Sequence, residues 1–185
     1  MYYFAIKDDF IQKIERKLMK IKENIALIGM PAVGKSTVGV LLAKRMGYAF
    51  LDTDILIQTK EQMTLSRIIS AKGLERFLEI EESHLLGVKC SQHVIATGGS
   101  VVYRERAMAH LAQRATILYL AVDLEILTTR LSDVVERGVA MDPGKGIPDL
   151  YKERTPLYDK YCDIKIECGT KSPAQVVAAI EHYLS

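Results

Sequence analysis

Residues 29–37 read GMPAVGKST. The pattern Gly29-x-x-x-x-Gly34-Lys35-Ser36 has the spacing of a phosphate-binding loop. In such a loop, glycines let the backbone wrap closely and turn its N–H groups inward. Just before it, NIALIG is a short apolar run closed by glycine, the form of a buried strand. Just after it, STVGVLLAKRMG has helical periodicity and ends on Gly47, placed as a C-cap. A strand therefore enters and a helix leaves, and the helix N-terminus adds partial positive charge to the cradle. Lys35 would bring a mobile point charge to the outer phosphates, and Ser36 a hydroxyl oxygen to Mg²⁺. Ala32 sits within the loop, where its Cβ restricts the backbone. The loop predicts a nucleoside triphosphate, and alone it does not separate a kinase from a switch or an ATPase.

Outward from the loop, apolar runs and helical patterns alternate. YAFLD reads as a second strand, HVIATGG as a third running into a glycine turn, ATILYLAV as a fourth and DIKIEC as a fifth. Helices are expected over 54–60, over 64–90 with a break near Gly73, and over 104–113, 123–131 and 173–184. LYKERTPLYDKYC reads as helical with a restart at Thr155-Pro156, where Thr can cap and Pro suits a first turn. This alternation predicts an α/β fold with a five-stranded parallel sheet covered on both faces. The Gly- and Pro-rich segment 132–147 reads as a mobile loop or lid. Before the main domain at 24–185, Ile6, Phe10, Ile14 and Leu18 recur every four residues, so 1–23 reads as an amphipathic helical extension.

Composition narrows the function classes. The 185 residues are enough for one domain, and a net charge of +2 gives no footprint for nucleic acid. No apolar run approaches the ~18 residues of a membrane span. Lys7, Asp8 and Asp9 interrupt any secretory signal. Cys90, Cys162 and Cys168 lack C-x-x-C spacing, so no disulfide framework is expected and a cytoplasmic location fits. The four histidines match no metal-ligand spacing. A monomer with no nucleic-acid or membrane partner is expected.

The acceptor side is read from two further stretches. LDTD follows the second strand, and strand carboxyl ends face the ligand crevice in open α/β sheets. Asp52 and Asp54 are two apart, so in extended chain they point to one side. One carboxylate there could approach the metal while the other accepts a hydrogen bond from a substrate hydroxyl and acts as base. The competing reading is that Asp54 merely caps a helix starting at Ile55. In VIATGGSVV, Gly98-Gly99 lets the backbone approach a ligand closely, or forms a plain tight turn.

Taken in order, GMPAVGKSTVG, LDTD, FLEIEE, VIATGGSVV and ERTPLY resemble the shikimate kinase family over roughly residues 24–184. The resemblance implies a P-loop kinase fold, a helical substrate-binding region near 54–90 and a lid near 132–147. It also implies ATP-dependent phosphorylation of the 3-hydroxyl of shikimate with Mg²⁺. By this likeness Ala32, Val33, Gly34, Lys35, Ser36 and Thr37 would hold the ATP phosphates. Ser36 would take the metal, with Asp52 in its outer shell. Asp54 would bind the acceptor and orient or deprotonate it. Gly98, Gly99 and Arg154 would bind shikimate, Arg154 through its carboxylate. Arg130 would stack on adenine, with Lys171 and Pro173 beside it, and Arg137 would neutralise charge on the transferring phosphoryl group.

The chain departs from the family on the acceptor and lid side. Leu78 stands where the family has an arginine that helps grip the carboxylate, and leucine cannot form that bidentate contact. Arg76 lies about 200° around the helix from position 78 and is no substitute. Arg137 is followed by Gly-Val-Ala, and Ser100 replaces a third glycine. These departures leave open a kinase for another small hydroxy acid such as homoserine. A nucleotide-binding regulatory protein without transfer chemistry is the alternative of another class.

Overall fold

The computed structural model describes residues 21–131, 139–140 and 144–184. Five parallel strands make its centre: β1 (Asn24–Ile28), β2 (Ala49–Asp52), β3 (His93–Ala96), β4 (Ala115–Ala121) and β5 (Ile164–Glu167). Their order is β2-β3-β1-β4-β5, with Leu27 of β1 opposite Ala96 on one side and Leu118 on the other. Strands β1 and β4 are buried along their whole length, which is why both read as unbroken apolar runs. The edge strand β5 instead alternates, with Ile164 and Ile166 inward and Lys165 and Glu167 outward.

Parallel pairing requires crossovers, and helices supply them. They are α1 (Lys35–Met46), α2 (Thr53–Glu61), α3 (Leu65–Lys72), α4 (Leu74–Leu86), α5 (Glu105–Arg114), α6 (Leu124–Leu131), α7 (Ile147–Tyr161) and α8 (Pro173–Leu184). The main core gathers around β1 and β4. A second apolar cluster joins Ile57, Leu65, Ile68, Phe77, Leu78 and Ile80 from α2, α3 and α4 with Ala140. The helical region expected at 54–90 thus has a small core of its own, with its break at Gly73 (φ 82°).

Two local expectations are corrected. The chain turns helical at Thr53, so Asp52 and Asp54 do not share one extended segment. Asp52 is the cap: its Oδ1 accepts from the N–H of Asp54 at 3.0 Å and of Ile55 at 3.3 Å. Helix α7 runs through Pro156 without a restart. Pro156 has no N–H to donate, and the Thr155 hydroxyl is buried without a hydrogen-bond partner instead of capping. The helix also starts earlier than expected, at Ile147, where the N–H of Gly146 donates to Asp149 at 2.8 Å. Cys90 and Cys162 are free thiols, and among the described residues no helix is long and apolar enough to cross a membrane. Residues 1–20, 132–138 and 141–143 lie outside the described residues. These hold most of the expected N-terminal extension and most of the expected lid.

Candidate active site

At the carboxyl ends of β1 and β3 the chain leaves a cavity of about 510 Å³. Its lining brings together Ala32, Gly34, Lys35, Ser36, Thr37, Asp54, Gly98, Gly99 and Arg154, which are far apart in sequence. The loop after β1 takes the predicted form. Gly34 has φ 101°, and Ala32, at φ 62°, holds the left-handed conformation despite its Cβ. Val33 turns inward and is buried beneath the loop.

Lys35 opens α1 and folds back over the loop, its Nζ donating to the carbonyls of Gly29 and Met30 at 2.9 Å each. Burial lowers its pKa to about 8, against the opposing pull of Asp54. It still carries its charge at neutral pH. Next to it, the Ser36 hydroxyl donates to Asp52 Oδ2 at 2.6 Å. One Asp52 oxygen therefore caps α2 while the other meets the loop.

Asp54 lies in the first turn of α2, and its Oδ1 is buried without a hydrogen-bond partner. Burial raises its pKa to about 6, partly offset by Lys35 and reinforced by Asp52. Asp54 also lines the cavity, and a carboxylate there is suited to accept from a ligand hydroxyl.

The glycine turn after β3 is suspended from three directions. The N–H of Gly98 donates to the Thr53 hydroxyl at 3.1 Å, and the Gly99 carbonyl accepts from the Tyr158 hydroxyl at 2.6 Å. The Ser100 hydroxyl donates to Glu81 at 2.8 Å. A Cβ at Gly98 would run into Glu81 Oε1 and come within 2.9 Å of Asp54 Oδ1, so any larger residue there would have to displace both carboxylates. At Gly99 it would stand 3.0 Å from Pro31 Cδ and 3.1 Å from Arg154 Nη1. The phosphate loop and the glycine turn therefore face each other with little room for a side chain between them.

Arg154, on α7, is 1% exposed. Its Nε donates to the Tyr103 hydroxyl at 3.0 Å, its Nη2 donates to the Ala140 carbonyl, and its guanidinium lies 5.0 Å from the Tyr103 ring centre. Leu78 does not line the main cavity. It faces a neighbouring one of about 340 Å³ with Tyr103, Arg104 and Ala140, while Phe77 lines the main cavity. Lys171 and Pro173 fall on the loop after β5 and at the start of α8, outside the main cavity. Arg130 belongs to α6, but its side chain and all of Arg137 lie outside the described residues.

The sequence placed Glu81 in the FLEIEE motif but gave no role to it, nor to Tyr103 or Tyr158. One signal was available for Glu81: it falls on the apolar stripe of α4 with Phe77, Leu78 and Leu85, where a charged residue is unexpected.

The cavity is thus lined by a glycine-rich loop, a charged lysine, the serine of a hydroxyl–carboxylate pair, the Asp54 carboxylate and a buried guanidinium. Comparison with known proteins places the chain in a family. The family model described as shikimate kinase matches residues 31–185. A shikimate kinase of Thermodesulfovibrio yellowstonii is 35% identical over 161 residues, covering 85% of this chain and 92% of that protein. One of Aquifex aeolicus is 34% identical over 157 residues, covering 84% and 92%. Among solved structures, the shikimate kinase of Acinetobacter baumannii in complex with shikimate superposes with a TM-score of 0.79 at 27% identity, covering 91% of this chain and 95% of that one. This chain belongs to the shikimate kinase family and is an ATP-dependent kinase.

Proposed function

We propose that the chain transfers the γ-phosphoryl group of ATP to the 3-hydroxyl of shikimate in the 510 Å³ cavity. The observation that carries this reading is that Asp54 lines the same cavity as the phosphate loop, Lys35 and Arg154. Backbone N–H groups of Ala32 to Thr37 would hold the phosphates. Lys35 would exchange its two loop carbonyls for the β- and γ-phosphates. Asp54 would accept the hydrogen bond of the attacking hydroxyl and aim its lone pair in line. Gly98 and Gly99 would let the ring lie against the backbone, and Arg154 would take its carboxylate through the guanidinium N–H groups that Tyr103 and Ala140 leave free. Arg137 and Arg130, with Lys171 and Pro173, would serve the nucleotide.

Ser36 and Asp52 fit Mg²⁺: a hydroxyl and a carboxylate oxygen 2.6 Å apart form a hard donor pair at the loop's mouth. Among the described residues no cluster of three acidic, His or Cys ligands exists, which suits an ion that keeps waters and takes phosphate oxygens. When bound, Mg²⁺ would neutralise charge on the phosphates.

The test is ADP release with shikimate, homoserine and gluconate as acceptors. Shikimate should raise release far above the acceptor-free rate, and the other two should not. A shikimate rate equal to the blank would overturn the assignment.

A further inference from the structure

Glu81 is 2% exposed and sits in the middle of α4. Its Oε2 accepts from Ser100, while its Oε1 is buried without a partner. It does not line the main cavity but backs onto the Gly98 wall, close to Asp54 Oδ1. The charged groups that act on it are Asp54 from α2, Arg154 from α7 and Lys35 from α1. On its own helix, the position one turn earlier is Leu78, so no cation of α4 offsets it there.

The balance of charge follows. Before any ligand enters, the buried cluster has two cations, Lys35 and Arg154, against the carboxyls of Asp54 and Glu81. An acceptor with a carboxylate adds a negative charge that competes with Glu81 for Arg154. Moving a charged group out of a packed helix is costly, whereas a buried carboxyl can take up a proton. We propose that Glu81, held by Ser100, is a proton-linked positioning residue: it takes up a proton as the acceptor's carboxylate binds Arg154, and so makes acceptor affinity pH-dependent. This rests on the shikimate assignment above. Burial, then Asp54, pushes the Glu81 carboxyl up to about 7, against the opposing pull of Ser100, Arg154 and Lys35, so uptake falls in the neutral range.

The test is calorimetry of shikimate binding without ATP, in buffers of different ionisation enthalpy at pH 7. Wild type should take up roughly half a proton per site, and its Kd should rise about three- to tenfold between pH 6.5 and 8. In Glu81→Gln, uptake should fall to the small remainder from Lys35 and Asp54, and the Kd should flatten to within about twofold. Ser100→Ala removes a bond that favours the ionised carboxyl, so it should move the weakening to higher pH. It reads the same property should the glutamine variant fold poorly. Wild type that turns over shikimate but binds it without proton uptake, or Glu81→Gln that keeps the full uptake, overturns this inference alone. Absence of shikimate turnover overturns it together with the substrate assignment.

Discussion

The nucleotide half of the site turns on single side chains. Lys35 is buried against two carbonyls, and on the proposed assignment it would exchange them for phosphates, so Lys35→Ala removes the charge the loop is folded around. A kcat loss of about a thousandfold or more is expected, read in single-turnover assays. Asp54→Asn keeps the shape and removes the charged acceptor. It should lower kcat by roughly 10²–10⁴ while the Kd for ATP changes less than about threefold. The reverse pattern would reassign Asp54 to nucleotide binding. Ala32 holds φ 62°, where an L-residue is strained. Ala32→Gly should therefore stabilise the protein by about 0.5–1 kcal/mol after the greater freedom of glycine in the unfolded chain is deducted; urea melts check it. The loop was legible in sequence because its chemistry is local: strand, loop and helix adjoin. Glu81, Tyr103 and Tyr158 were not, because their partners Ser100, Arg154 and Gly99 lie 19, 51 and 59 residues away.

Among the elements, α7 joins the two halves of the acceptor site. Arg154 and Tyr158 are one turn apart, and both point inward, one to Tyr103 and Ala140, the other to Gly99. Tyr158 is also stacked on Tyr119 of β4, with ring centres 5.1 Å apart. Tyr158→Phe keeps the stacking and orphans the Gly99 carbonyl. The expected cost is about 1–2 kcal/mol of stability, with the KM for shikimate raised and that for ATP unchanged. The element order and the break at Gly73 were legible from periodicity and glycine. The path of α7 through Pro156 was not, since propensity favours a boundary there and burial of Leu150, Arg154 and Tyr158 along one face outweighs it. The same holds for Leu78. The sequence identified its departure from the family, but only packing showed that it faces the neighbouring cavity with Tyr103 and Ala140.

For the molecule as a whole, the buried titrating groups set a pH dependence of stability. Glu81 holds its proton more tightly when folded, up to about 7 from an ordinary 4.5. Its contribution is therefore fully present below about pH 4.5 and is lost as pH rises through 7. Lys35 is shifted the other way, so its cost persists below about pH 8 and is relieved only towards 10.5. The apoprotein's Tm should carry a declining component between pH 5 and 7.5 that Glu81→Gln removes; melts across that range measure it. An unchanged slope in the variant would mean that Glu81 is ionised throughout.

One contact reaches further than its size. Pro31 of the phosphate loop rests against Gly99 of the acceptor turn, and the same turn is tied to α2, α4 and α7. On the proposed assignment, the two ligands would meet a shared piece of backbone. Any displacement that one imposes on it enters the binding free energy of the other, and linkage makes the effect mutual. The factor by which shikimate alters the affinity for ATP must equal the factor by which ATP alters the affinity for shikimate. The place where Pro31 faces Gly99 offers one route for that mutual effect.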